Sequence, residues 1–111
     1  MTQQDEIIIV FTHVPHMACA ETIAQTLVND KLAACVNISS PVTSVYRWQG
    51  KVEHAQEIGL TIKTSRKVYP ALATKLKALH PYELPEIVAI HVNEGLPEYL
   101  QWVMAETGPK E

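Results

Sequence analysis

A histidine, a tyrosine and two carboxylates stand within the eight residues His80-Pro81-Tyr82-Glu83-Leu84-Pro85-Glu86-Ile87. Such a group can exchange protons, donate and accept hydrogen bonds, or hold a cation. Pro81 and Pro85 fix φ and remove two backbone donors, so the segment reads as a stiff connector rather than a helix interior or a central strand. A stiff connector keeps its polar side chains in set positions, as a binding site requires.

Cys35 adds a soft ligand. Together with His80 it forms a sulfur-plus-imidazole pair suited to copper or another divalent cation. Each residue also has a plainer reading. Free cysteine is among the most buried residue types, and His80, at the end of a helical stripe, can serve as a C-terminal cap or packing residue. Cys19 lies between Ala18 and Ala20 and reads as helix packing. His13 and His16 are three apart and could meet a cation, yet read more simply as solvent-facing loop residues, because a stable site needs three or four ligands. His54 and His91 have no visible partner set. Glu83 with Glu86 suggests acid–base chemistry, but no nucleophile or phosphate loop accompanies the pair, so no enzymatic activity is expected.

The elements that must position these residues follow from periodicity. Ile7–Phe11 is an apolar run that reads as a strand. Pro15 precedes a helix whose stripe is Ala20, Ile23, Ala24, Leu27 and Val28, ended by Asn29-Asp30. Residues 33–48 are extended, with a break at Ser39-Ser40-Pro41. Gln49-Gly50 reads as a two-residue hairpin turn, and the return strand alternates Ile58, Leu60 and Ile62 with Glu57, Gly59, Thr61 and Lys63. Both hairpin strands look long enough to project beyond the core. Val68, Ala71, Leu72, Leu76 and Leu79 form a second helical stripe with Pro70 in its first turn. Ile87–Val92 is apolar on both faces apart from His91, as in a central strand. Pro97 opens a last helix with Leu96, Leu100, Val103 and Met104 on its stripe, and the tail from Thr107 reads as frayed.

The order βαββαβ plus a C-terminal helix is the ferredoxin-like, α+β arrangement: one antiparallel sheet with two helices on one face. The other face is left for the third helix or a second subunit to cover. The 111 residues are expected to form one domain, residues 1–111, with its core over about 7–104 and short polar tails. A net charge of −3 with 9 Lys and Arg and no basic run gives no sign of binding to nucleic acid or to an anionic membrane. No apolar run reaches membrane-spanning length, the polar start Met1–Glu6 is unlike a secretory signal, and two cysteines without paired spacing read as free thiols. Cytoplasmic residence is the expectation.

Five strings in this order resemble the CutA family of divalent-cation tolerance proteins: Leu32-Ala33-Ala34-Cys35-Val36-Asn37-Ile38; Ser44-Val45-Tyr46-Arg47-Trp48-Gln49-Gly50-Lys51; Glu57 with Ile62-Lys63-Thr64; His80 to Ile87; and Tyr99-Leu100-Gln101-Trp102. The resemblance implies a homotrimer similar to the PII nitrogen-signalling proteins, with hairpin strands pairing between subunits. It also implies an association with tolerance to copper and other divalent cations and, in some animal relatives, with acetylcholinesterase assembly. No cofactor is expected to be needed for folding. In such a trimer Tyr46, Trp48, Glu57, Lys63, Tyr82, Glu83 and Glu86 would frame an intersubunit cleft for a small ligand. The same residue types equally suit an interface network of aromatics and ion pairs, the mark of a pure scaffold trimer.

Overall fold

The computed structural model describes residues 6–109. Eight elements follow in order: β1 (Ile7–Val14), α1 (Met17–Asn29), β2 (Cys35–Trp48), β3 (Lys51–Ser65), a 3-10 turn (Arg66–Val68), α2 (Tyr69–Leu79), β4 (Val88–His91) and α3 (Pro97–Ala105). The strands form one sheet in the order β2-β3-β1-β4, with every neighbouring pair antiparallel. This is the expected ferredoxin-like topology.

Alternation sorts each strand onto two faces. Ile8, Val10 and Val14 of β1 and Ile58, Leu60 and Ile62 of β3 meet Ile23 and Leu27 of α1 and Leu72 and Leu76 of α2 in the core. α1 starts at His16, whose Nδ1 accepts the Cys19 N–H at 3.4 Å. It stops where Lys31 takes φ of 59°, and the Leu32 and Ala33 amides close on the Leu27 carbonyl. The turn after β2 has positive φ at both Gln49 and Gly50, which matches the right-handed twist of a tight hairpin.

The face away from α1 and α2 carries Ile7, Ile9, Phe11 and His13 from β1 and Glu57, Gly59, Thr61 and Lys63 from β3. α3 covers only one end of it. Val103 is fully buried, Ile7 nearly so, and Ser65 Oγ meets Thr107 Oγ1 at 2.8 Å. The molecule is elongated, 44 × 27 × 23 Å. β1 ends opposite Ile58, so among the described residues β3 from Lys51 to Glu57 has β2 as its only strand partner. The hairpin therefore runs on the order of 20 Å past the rest of the sheet.

Four expectations are corrected. β1 continues past Phe11 to Val14 because Thr12 and Val14 keep the alternation and are fully buried. β4 is an edge strand rather than a central one: among the described residues it pairs with β1 alone, and Val88 and Ile90, opposite Phe11 and Ile9 on the open face that α3 covers only at one end, stay about half exposed. Leu96 caps α3 from outside its apolar stripe and is 66% exposed. The tail is pinned at Thr107, which is buried with its hydroxyl bonded to Ser65 and to the Val103 carbonyl; the Gly108 N–H donates to the Lys31 carbonyl.

Candidate functional site

A cleft of about 500 Å³ opens at the foot of the hairpin. One wall is the sheet: His13 at the end of β1, Glu57 of β3, and Ser44, Tyr46 and Trp48 of β2. The other is the connector after α2, which contributes Tyr82, Glu83, Leu84 and Glu86. The prolines give this connector its course. It leaves α2 at His80, passes the end of β1 and returns as β4.

The sheet wall depends on one irregularity in register. Ile38 pairs with Leu60, but Pro41 pairs with Ile58, so β2 spends three residues where β3 spends two. This β-bulge at Ser39-Ser40 is pinned by Ser39 Oγ, which accepts the Gly59 N–H at 2.8 Å. The extra residue inverts the facing of everything beyond it. Val42, Ser44, Tyr46 and Trp48 become the partners of Glu57, Ala55, Glu53 and Lys51, on the face that carries His13. Without the bulge, Val45 and Arg47 would take their place.

Three hydrogen-bonded groups set the polar geometry. The Tyr82 hydroxyl donates to Glu57 Oε2 at 2.6 Å. Burial, together with the adjacent Glu57 carboxylate, pushes the Tyr82 phenol well above its ordinary pKa. His13 Nδ1 pairs with Glu86 Oε1 at 2.8 Å. His80 lies beneath, 7% exposed. Its Nδ1 accepts the Tyr82 N–H at 3.2 Å, and its Nε2 sits 2.9 Å from the His13 carbonyl and 3.1 Å from Thr12 Oγ1. With a donor facing Nδ1 and a carbonyl facing Nε2, the partner set assigns the Nε2–H tautomer. Burial lowers the His80 pKa, against the His13 carbonyl and the Glu57 and Glu86 carboxylates, which raise it. The ring is thus a neutral post joining the connector to β1, with the Tyr82 ring 5.0 Å away.

The structure brings together Tyr46, Trp48, Glu57, Tyr82, Glu83 and Glu86. It leaves out Lys63, which was expected with them. Lys63 lies six residues along β3 from Glu57, roughly 20 Å of strand, and its Nζ donates to Asn37 Oδ1. His13, Ser44 and Leu84 join the cleft unforeseen. The signal for His13 was the odd-numbered set Ile9, Phe11, His13 on one face of a longer β1; the signal for Ser44 was the Ser39-Ser40-Pro41 break. His16 parts from His13 as the α1 cap.

Cys35 and His80 do not meet within the chain. Cys35 pairs with Lys63, which pairs with Ile9, on the open face, and its Sγ lies 3.8 Å from Asn37 Oδ1. His80 bonds to Thr12, whose side chain points to the helix face. A sheet separates them. No group of three or more His, Cys, Asp or Glu side chains among the described residues converges as a metal centre would. The donors present in one chain therefore do not fit a closed metal site.

A two-layer ferredoxin-like fold with a projecting hairpin and an aromatic, carboxylate-lined cleft at its foot defines the class: a small α+β domain. The chain belongs to the CutA1 divalent ion tolerance protein family, whose model matches residues 8–106. The divalent-cation tolerance protein CutA of Thermus thermophilus is 50% identical over 100 residues, covering 90% of this chain and 97% of that protein. Protein CutA of Mus musculus is 42% identical over 84% of this chain and 52% of that protein, so the chain spans about half the length of this animal relative. Among solved structures, the Thermus thermophilus protein superposes with a TM-score of 0.90 at 49% identity, covering 92% of this chain and 99% of that one. CutA1 from Oryza sativa gives 0.91 at 36% identity over 98% and 100%. One relative, from Arabidopsis thaliana, is named chloroplastic, and a structure from Archaeoglobus fulgidus is titled periplasmic. Among the described residues no helix is long and apolar enough to cross a membrane.

Proposed function

We propose that this chain is the single-domain protomer of a PII-like homotrimer that acts in the response to copper and other divalent cations by binding and regulation rather than by catalysis. The observation that carries this reading is the hairpin. Val45 and Val52 are 60% and 57% exposed, on the hairpin face opposite the cleft and on two strands that outrun their own sheet. Such surface asks for protein against it, and β2 offers a free outer edge of 14 residues for pairing with another copy. Threefold assembly would cover the open face and enclose the cleft between subunits. Cytoplasmic residence belongs to the same reading and is supported by two free cysteines.

The sheet that separates Cys35 from His80 keeps the two from forming one metal centre within a single chain. Copper calorimetry on the wild type and the Cys35→Ala, His80→Gln double variant is expected to give equal binding. Light scattering at micromolar concentration tests the assembly: a threefold mass is expected, and a monomer would refute the trimer.

A second reading, a scaffold trimer without a ligand, is favoured by one observation: Tyr82 is bonded to Glu57 and His13 to Glu86 within the cleft. A trimer whose melting temperature responds to no small molecule would select it.

A further inference from the structure

Resting on the reading of the cleft as a ligand site, the geometry points to an organic monocation, a primary amine or quaternary ammonium on a small apolar body, as the occupant. Among the described residues the lining includes three carboxylates, Glu57, Glu83 and Glu86, and no lysine or arginine. An anion or a nucleotide placed there would meet three carboxylates, with His13 already paired to Glu86. The remaining wall is aromatic. Tyr46, Trp48 and Tyr82 line it, and aromatic rings attract a cation placed over them within about 6 Å.

The carboxylates are arranged for one diffuse positive charge rather than for a metal ion. Glu57 is held through Oε2 by Tyr82, and Glu86 through Oε1 by His13. In each the second carboxylate oxygen has no hydrogen-bond partner among the described residues. Glu83 makes no hydrogen bond or ion pair among the described residues, so its charge is uncommitted. A calcium or zinc ion demands converging ligands at close range, and no such group forms. An ammonium needs one counter-charge and a π face, and both are present. The volume, about 500 Å³, falls within the usual range for a small-molecule site.

Three probes sharing one ring separate charge from shape: benzylammonium, benzyl alcohol and benzoate, titrated into the full chain and followed by the Trp48 indole NMR signal. Benzylammonium is expected to bind about tenfold more tightly than benzyl alcohol, with benzoate excluded. Glu83→Gln, at a position without bonds to the fold, and Trp48→Leu are each expected to weaken benzylammonium about threefold or more while benzyl alcohol changes less. Equal affinity for the three probes, a preference for benzoate, no binding of any probe, or unchanged affinity in both variants would overturn the assignment. Light scattering on the same samples keeps the two readings apart. A threefold mass without cation selectivity sinks this inference and leaves the trimer, whereas a monomer that selects benzylammonium does the reverse, since every lining residue belongs to one chain.

Discussion

Replacing Tyr82 by phenylalanine removes one hydroxyl and leaves the ring in place. The lost contact is the 2.6 Å bond to Glu57 Oε2 that ties the connector to the hairpin. A hydrogen bond to a charged group contributes roughly 1.5–3 kcal/mol. Both side chains are only partly buried, so water takes up part of the loss, and we expect about 1–2 kcal/mol of destabilisation at neutral pH. A double-mutant cycle with Glu57→Gln isolates the pair and is expected to give a coupling of about 1 kcal/mol. Urea unfolding should be run at one protein concentration throughout, because self-association makes stability concentration-dependent. The alkaline arm carries its own sign. Folding raises the Tyr82 pKa above its ordinary 10.0, so the folded state holds the proton more tightly. The resulting stability is complete below pH 10 and is lost as pH rises above that value. The gap between wild type and Tyr82→Phe should therefore narrow above pH 10, and one tyrosine of the wild type should ionise later than the others. A coupling below about 0.3 kcal/mol, within the scatter of additive sites, or a phenolate absorbance curve in which all tyrosines ionise together, would refute the reasoning.

Leu76→Ala empties a fully buried position between α2 and the sheet and should cost roughly 2–5 kcal/mol in urea unfolding. The lowered pKa of His80 means that the unfolded chain takes up the proton first. Its contribution is complete above the ordinary value of 6.5 and is lost as pH falls below it, so wild type should lose more stability than His80→Gln between pH 7 and pH 5, as followed by thermal melts. Deletion of Ser40 removes the bulge. Tyr46 and Trp48 should then turn to the opposite face and be lost from the cleft, read as loss of the Trp48 indole NMR response to cleft ligands.

Much of the fold was legible because local rules and tertiary packing agree. Ile58, Leu60 and Ile62 alternate in sequence and are all buried; Gln49-Gly50 has the composition of a tight hairpin turn and forms one. β4 was misread because an apolar composition records that a strand is to be covered, not what covers it or where it stands in the sheet. Thr107 was misread because its partner, Ser65, is 42 residues away, beyond the reach of any local pattern.

The sequence by itself determined the elements, their order and the eight-residue connector that holds His80, Tyr82, Glu83 and Glu86, since periods, prolines and turn residues act over a few positions. Only the tertiary structure decided which side chains share a site. A single extra residue at Ser39-Ser40 turned Ser44, Tyr46 and Trp48 toward Glu57, and the alternation of the sheet put Cys35 and His80 on opposite faces. Register and facing depend on pairing between distant strands, and a one-residue change in that pairing reverses every side chain beyond it.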